Sequence, residues 1–290
     1  MAERGEVTRI QGLAETDGLL RMVYGLAYAA RPRRLMHPLG FARIGLERLV
    51  RGRSGEPFLR APEEALATPD GLVDMGGPMT AERLVEAYAR GIFPWCHVGP
   101  VKWWAPSQRA VLFLEDSRIE KNLRRLLRQD RYSVTFDRSF REVMEACAEP
   151  RPGRPALTWI SPRFMDAYEA LHEAGHAHSV EVRDKDGNLA GGLYGVASGG
   201  IFFTESQFAR ARDTSKVAFV TLNRHLAEWG SFRNDGKDRT GHLAALGVRN
   251  IPRAGFGALV HAHAGQGRAP GRWEIDPSLD VAGWMPGGES

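Results

Sequence analysis

One carboxylate stands out among the residues that could carry chemistry. Glu205 lies within FFTESQF (Phe202–Phe208), between aromatic neighbours. Strict strand alternation puts Phe203, Glu205 and Gln207 on one face, and Phe202, Thr204, Ser206 and Phe208 on the other. A carboxylate so placed either faces water or anchors a substrate amine through a charge-assisted hydrogen bond. Just downstream, DTSK (Asp213–Lys216) offers Ser215 and backbone N–H groups at a helix N-terminus, where a phosphate or ribose could dock. A plain helix cap is the simpler reading. A third chemistry belongs to GIFPWCHVGPVKWWAPSQR (Gly91–Arg109), where Phe93, Trp95, Trp103 and Trp104 accompany Lys102 and Arg109. Rings that stack bases and cations that meet phosphate suit unpaired nucleotides, each stacked base contributing about 1–3 kcal/mol. Tryptophans among prolines also anchor domain joints, which is the commoner use. His176 and His178 share a strand face, but no carboxylate or third histidine stands at ligand spacing, so no metal is expected.

These residues need a scaffold, and composition bounds it. The chain has 290 residues, 43% of them hydrophobic, enough for one large or two modest cores. No apolar run approaches the roughly 18 residues of a membrane span. Leu19–Ala30 is apolar, but Arg31, Arg33 and Arg34 follow it, the wrong order for a secretory signal. Cys96 and Cys147 are the only cysteines, which argues against a disulfide framework. A soluble cytoplasmic monomer is expected. The net charge of +4 is unevenly spread: Met1–Arg60 is rich in arginine and has no lysine. Lys121, Arg124, Arg125 and Arg128 alternate with Leu123, Leu126 and Leu127, reading as one exposed helix face. That face is either merely solvated or a track for the phosphates of a polyanion.

Periodicity then gives the elements. Residues 1–57 read as an arginine-rich extension with weak helical patterns at Leu19–Tyr28 and Ile44–Val50. Thr80 caps a helix with Leu84, Val85, Ala87 and Tyr88 inward and Gly91 ending it. Ala110–Leu114 reads as a strand, Ser117–Arg128 as a helix, and Tyr132–Phe136 as a strand. Asp137 is expected to cap a helix to Ala148, and Ser161–Pro162 to start one through His172. His178–Arg183, Leu189–Ala197 and Ile201–Phe208 form an antiparallel meander with turns at DKDGN and SGG. Asp213 or Thr214 caps a helix through Trp229. Strands in meander between helices, without a glycine-rich nucleotide loop, make an α+β fold.

The ordered series GIFPW, WWAPSQRAV, TWIS (Thr158–Ser161), GHAHSVEV (Gly175–Val182), GGLYGVASGGIFFTESQF (Gly191–Phe208), DTSK and HLAALGVRNIPR (His242–Arg253) resembles the leucyl/phenylalanyl-tRNA–protein transferases. The resemblance covers about Phe58–Val260. It implies a small N-terminal domain (58–109), an N-acetyltransferase-like (GNAT) catalytic domain with a mostly antiparallel sheet (110–262), and a C-terminal tail (263–290). The implied activity moves Leu or Phe from aminoacyl-tRNA to acceptor proteins with N-terminal Arg or Lys, marking them for degradation. No cofactor is implied. Trp159 matches the family's stacking tryptophan and Phe202 a phenylalanine of the adenosine and aminoacyl site, with Trp95 and Ser215 on the same substrate. Glu205 matches a glutamate contacting the aminoacyl moiety, and the basic helix face would carry tRNA.

An aminoacyl ester is already activated, so the site must orient the α-amine, take its proton and stabilise the oxyanion. The family's D-C-Q segment aligns with Asp235, Gly236 and Lys237, which keeps the acid but replaces an amide by a cation. Lysine brings donors and no acceptor, and could stabilise an oxyanion. Gln207, Asn234 and Leu222 fall where the amino-acid pocket has methionine, an apolar residue and an aromatic. Buried polar groups there cost on the order of 1–3 kcal/mol each if left unpaired. Changed amino-acid or acceptor specificity, or a non-catalytic tRNA-binding paralogue, are the alternative readings.

Overall fold

The computed structural model describes residues 37–51, 59–150, 158–230 and 233–287. Leu19–Ala30 and most of the arginine-rich extension lie outside the described residues. The described part of the extension is helix α1 (His37–Arg51). Its Ile44 is buried against Leu66 and Leu72, and Arg48 reaches Asp74 at 3.0 Å. A Cβ on Gly40 would lie 2.7 Å from the Thr68 carbonyl oxygen, so glycine lets the helix approach that turn closely.

A three-stranded antiparallel sheet, β1 (Leu72–Met75), β2 (Phe93–Pro94) and β3 (Lys102–Trp104) in the order β1–β3–β2, packs with helix α2 (Ala81–Ala89). The Thr80 hydroxyl accepts the Arg83 N–H at 3.4 Å, and Gly91 ends the helix at φ +71°. Leu84, Ala87 and Tyr88 are buried as the periodicity demands; Val85 is half-buried.

The larger sheet has seven strands: β4 (Gln108–Phe113), β5 (Ser133–Phe136), β6 (Ala177–Arg183), β7 (Leu189–Ser198), β8 (Ile201–Ala209), β9 (Arg233–Lys237) and β10 (Arg249–Pro252). Their order is β10–β4–β9–β8–β7–β6–β5, and only β8 and β9 run parallel. Helices α3 (Lys121–Leu127), α4 (Phe140–Ala148), α5 (Pro162–Glu173), α6 (Thr214–Glu228), α7 (Gly241–Ala245) and α8 (Arg253–Ala262) surround it. The fold is α+β, with a mixed, mostly antiparallel sheet. On one face, α4 and α5 share a core with the small sheet through Tyr88, Trp103, Tyr168, Tyr194 and Phe203. The other face packs on α6 through Val180, Val182, Leu193, Phe202 and Leu222.

The meander β6–β7–β8 matches its sequence pattern, but two local expectations are overturned. Asp137 does not cap α4. It sits at φ +56°, and its carboxylate takes the Ser179 N–H (2.9 Å), the Trp273 N–H (2.7 Å) and His178 Nδ1 (2.8 Å). Buried Glu181 instead accepts the Ser139 N–H at 3.3 Å, supplying negative charge where α4 begins. Helix α3 starts at Lys121 rather than Ser117, because the Arg118 N–H is drawn to the Leu246 carbonyl at 3.1 Å and residues 117–120 stay extended. The C-terminal segment packs back onto the sheet. Trp273 is 3% exposed and stacks on His178 with ring centroids 3.6 Å apart.

Candidate functional site

Two bulges build the site. Across β7 and β8 the register passes from Gly195↔Thr204 to Tyr194↔Ser206, which leaves Glu205 as an extra residue. Across β4 and β9 it passes from Val111↔Asp235 to Ala110↔Lys237, which makes Gly236 the extra one. The parallel pairing of β8 and β9 stops at Phe203↔Asp235, and beyond it the strands part. Lys237, at φ +60°, fills that opening. Its Nζ donates to the Thr204 carbonyl at 2.8 Å and pairs with Glu205 Oε1 at 2.6 Å. The two side chains are 13% and 1% exposed, so the pair is desolvated.

Helices α2 and α5 supply the rest of the surroundings. The Tyr88 hydroxyl donates to Glu205 Oε1 and lies 2.5 Å from the Tyr168 hydroxyl. Because Tyr88 spends its one proton on the carboxylate, Tyr168 is the donor of the second bond. Burial, then the Glu205 charge, raises both phenols well above their ordinary pKa, so both stay protonated. Burial also draws the Lys237 ammonium below the ordinary lysine pKa, against the opposing pull of Glu205 and Asp235. The Phe93 ring stands 5.3 Å from Lys237 Nζ. The result is a dry, charge-balanced site with donors on one carboxylate.

Asp235 lies next to them in a second buried ion pair. Arg109 holds it bidentately, Nε to Oδ1 at 2.9 Å and Nη2 to Oδ2 at 2.7 Å, with both side chains essentially unexposed. Oδ1 also accepts the Lys237 N–H at 3.0 Å. The guanidinium carbon lies 4.4 Å from the Phe256 ring centroid and 4.8 Å from that of Phe93. The sequence presents Asp235 as the acid retained for the amine's proton; in the fold its oxygens are occupied by Arg109 and the Lys237 backbone.

The profile described as leucyl/phenylalanyl-tRNA protein transferase matches residues 111–261, and that of the N-terminal domain of the same family matches residues 77–107. The leucyl/phenylalanyl-tRNA–protein transferase of Aromatoleum aromaticum is 46% identical over 231 residues, 79% of this chain and 96% of that protein. The chain belongs to the leucyl/phenylalanyl-tRNA–protein transferase family. The family's Pseudomonas syringae pv. tomato member is 50% identical over 195 residues, 67% of this chain and 84% of that protein. Among solved structures, that of FemX is 12% identical, with a TM-score of 0.40 over 51% of this chain and 60% of that one. Helix α1 and Trp273 lie outside both matched stretches.

The remaining residues suggested by the likeness to the transferase family do not all gather at Glu205. Phe202 and Leu222 are fully buried in the α6 core, across the sheet from it. Asn234 is on that side too, accepting from Thr204 Oγ1 at 2.8 Å and donating to Asn223 Oδ1 at 2.9 Å. The bulge at Glu205 reverses the alternation, so the expected shared face of Glu205 and Gln207 is lost. Gln207 pairs across from Leu193 of the α6 core, while Phe208 joins the core of Phe203. Ser215 is half-buried in the first turn of α6, after Asp213 at φ +64°, whose side chain makes no cap and meets Lys216 at 3.2 Å.

The aromatic tract is mostly scaffold. Trp103 is fully buried with its Nε1–H on the Gly76 carbonyl at 3.1 Å, and Phe93 is 8% exposed. Neither expected phosphate cation faces outward there: Arg109 is buried, and Lys102 Nζ is turned onto the Val98 carbonyl at 2.9 Å. Trp95 and Trp159 are half-buried and meet neighbouring rings edge-on, Trp104 and Phe164 respectively. Lys121 and Arg125 on α3 and Arg128 just after it are exposed, whereas Arg124 folds back to the Ala282 and Trp284 carbonyls at 2.7 and 2.9 Å. Sequence reasoning overlooked Tyr168 and the true setting of Arg109. The one available signal was an arginine opening an apolar strand, RAVLF.

Proposed function

We propose that the chain transfers Leu or Phe from charged tRNA to acceptor proteins with N-terminal Arg or Lys, marking them for degradation. The observation that carries the mechanism is the buried Glu205–Lys237 pair at the point where β8 and β9 part. Glu205 Oε1 is taken by Tyr88 and Lys237, which leaves Oε2 to hold the reacting α-amine. The amine nitrogen attacks the ester carbonyl, the N–C bond forms, and the bond from carbonyl carbon to ribose oxygen breaks. The amine's proton passes by way of Glu205 to the departing ribose oxygen, while the Lys237 ammonium faces the developing oxyanion. Trp159 and Trp95 offer ring faces to the 3′ adenosine, Ser215 a hydroxyl to its ribose, and Lys121, Arg125 and Arg128 a track for tRNA phosphates. The catalytic domain, residues 110–262, is of the GNAT type, preceded by the small domain at 58–109; the protein works as a cytoplasmic monomer.

A second reading keeps the aminoacyl-tRNA donor but changes the amino acid or the acceptor, motivated by the Lys237 ammonium at the site, where the family's motif carries an amide. One experiment addresses both. Radiolabelled amino acid is transferred from a panel of charged tRNAs to a protein beginning with Arg or Lys. Transfer of Leu or Phe supports the first reading. Transfer confined to another charged tRNA supports the second, and binding of tRNA without any transfer sinks both.

A further inference from the structure

Glu205 is held by two groups that come from distant parts of the chain, Tyr88 on α2 and Lys237 at the end of β9. A single buried side chain touches the backbone frame of both. Arg109 Nη1 donates to the carbonyl of Gly91, the residue that ends α2 one turn after Tyr88, at 2.8 Å. Its Nε and Nη2 grip Asp235, and Asp235 Oδ1 in turn takes the N–H of Lys237. That last bond matters because Lys237 stands in the left-handed region, where a lysine needs a specific partner to stay. The forked guanidinium is rigid and planar, so it fixes the angle between its two attachments in a way an ammonium cannot. The rings of Phe93 and Phe256 pack against it, and at 1% exposure it is shielded from competing water.

We propose that Arg109 is a positioning residue for the transfer site, one guanidinium setting the placement of both groups that hold Glu205. Asp235 acts on the reaction through Lys237 and takes no proton from substrate. The inference rests on the reading of Glu205 and Lys237 as the transfer site.

The test uses the full chain and two variants, Arg109→Lys and Asp235→Asn. Arg109→Lys keeps the charge and loses the fork. Transfer kinetics are measured beside competitive acetylation of Lys237 by acetic anhydride, read by mass spectrometry against Lys185, which is 68% exposed. In Arg109→Lys, kcat falls about 10- to 100-fold with KM for aminoacyl-tRNA within about threefold, and Lys237 acetylates about tenfold faster relative to Lys185. Asp235→Asn keeps an oxygen for the Lys237 N–H, and its loss of kcat follows its rise in Lys237 labelling. Unchanged labelling in Arg109→Lys overturns the proposal, as does abolished transfer in Asp235→Asn with Lys237 labelled as in the parent. The labelling needs no turnover. A parent chain that transfers nothing therefore refutes the transferase reading, and the labelling still decides the placement of Lys237.

Discussion

Removing Lys237 should be costly to stability, and the cost should vanish when Glu205 is neutralised with it. At 2.6 Å, and with an effective dielectric constant near 20, the pair's attraction is about 6 kcal/mol before desolvation. Desolvation of two ions removes most of that gain, so the pair contributes little compared with an apolar replacement. Breaking it is different. Lys237→Met leaves Glu205, 1% exposed, with neutral phenols in place of its counter-cation, and a stranded buried charge of this kind costs about 3–5 kcal/mol. Glu205→Gln keeps the shape and removes the charge. The double variant Lys237→Met/Glu205→Gln should regain most of the loss, giving a coupling energy of about 3 kcal/mol or more in a double-mutant cycle. Urea unfolding of the four proteins, followed by tryptophan fluorescence and by circular dichroism, measures it. Additive effects within about 0.5 kcal/mol would refute the buried pair, and with it the proposed arrangement of the site.

Other outcomes follow from the same geometry. Trp159→Ala should weaken aminoacyl-tRNA binding about 5- to 150-fold, the equivalent of one missing stack of about 1–3 kcal/mol; filter binding that shows no change removes the platform. Replacing Lys121, Arg125 and Arg128 with Gln should flatten the salt dependence of tRNA binding by about one unit of slope for each phosphate no longer neutralised. Arg124→Gln should act on stability instead, because that side chain is tied to the C-terminal backbone. A salt slope equal to that of the parent would remove α3 from the tRNA track. His178 and His225 have pKa values lowered chiefly by burial. The unfolded chain then takes up protons first, so their contribution to stability is complete above about pH 6.5 and is lost as pH falls below it. A urea midpoint that stays level from pH 7.5 to 5.5 would contradict this.

The meander was readable because its signal is local. Each of β6, β7 and β8 is a continuous run of strand length, and glycine turns separate them. The site was readable only as residue types. Counting by twos along FFTESQF puts Gln207 beside Glu205, and nothing near it in sequence announces the extra residue, since the bulge is defined by the partner strand. Arg109 and Asp235 are 126 positions apart, and Tyr88 and Glu205 are 117 apart, distances over which periodicity says nothing. Asp137 misled for a related reason. An aspartate ahead of a helix reads as a cap, but a histidine on β6 and the backbone of Trp273 claim it first.

The position of Trp273 bears on how this protein is made. The core under α6 is closed by a residue synthesised after every strand of both sheets, stacked on His178 and tied through its N–H to Asp137. A nascent chain still lacking that segment has its strands and helices but an unsealed apolar floor beneath Phe202. Completion of folding thus waits on a residue that follows every strand. A message truncated even slightly upstream of this point yields a product that exposes core, which makes it visible to the cell's own proteolytic surveillance.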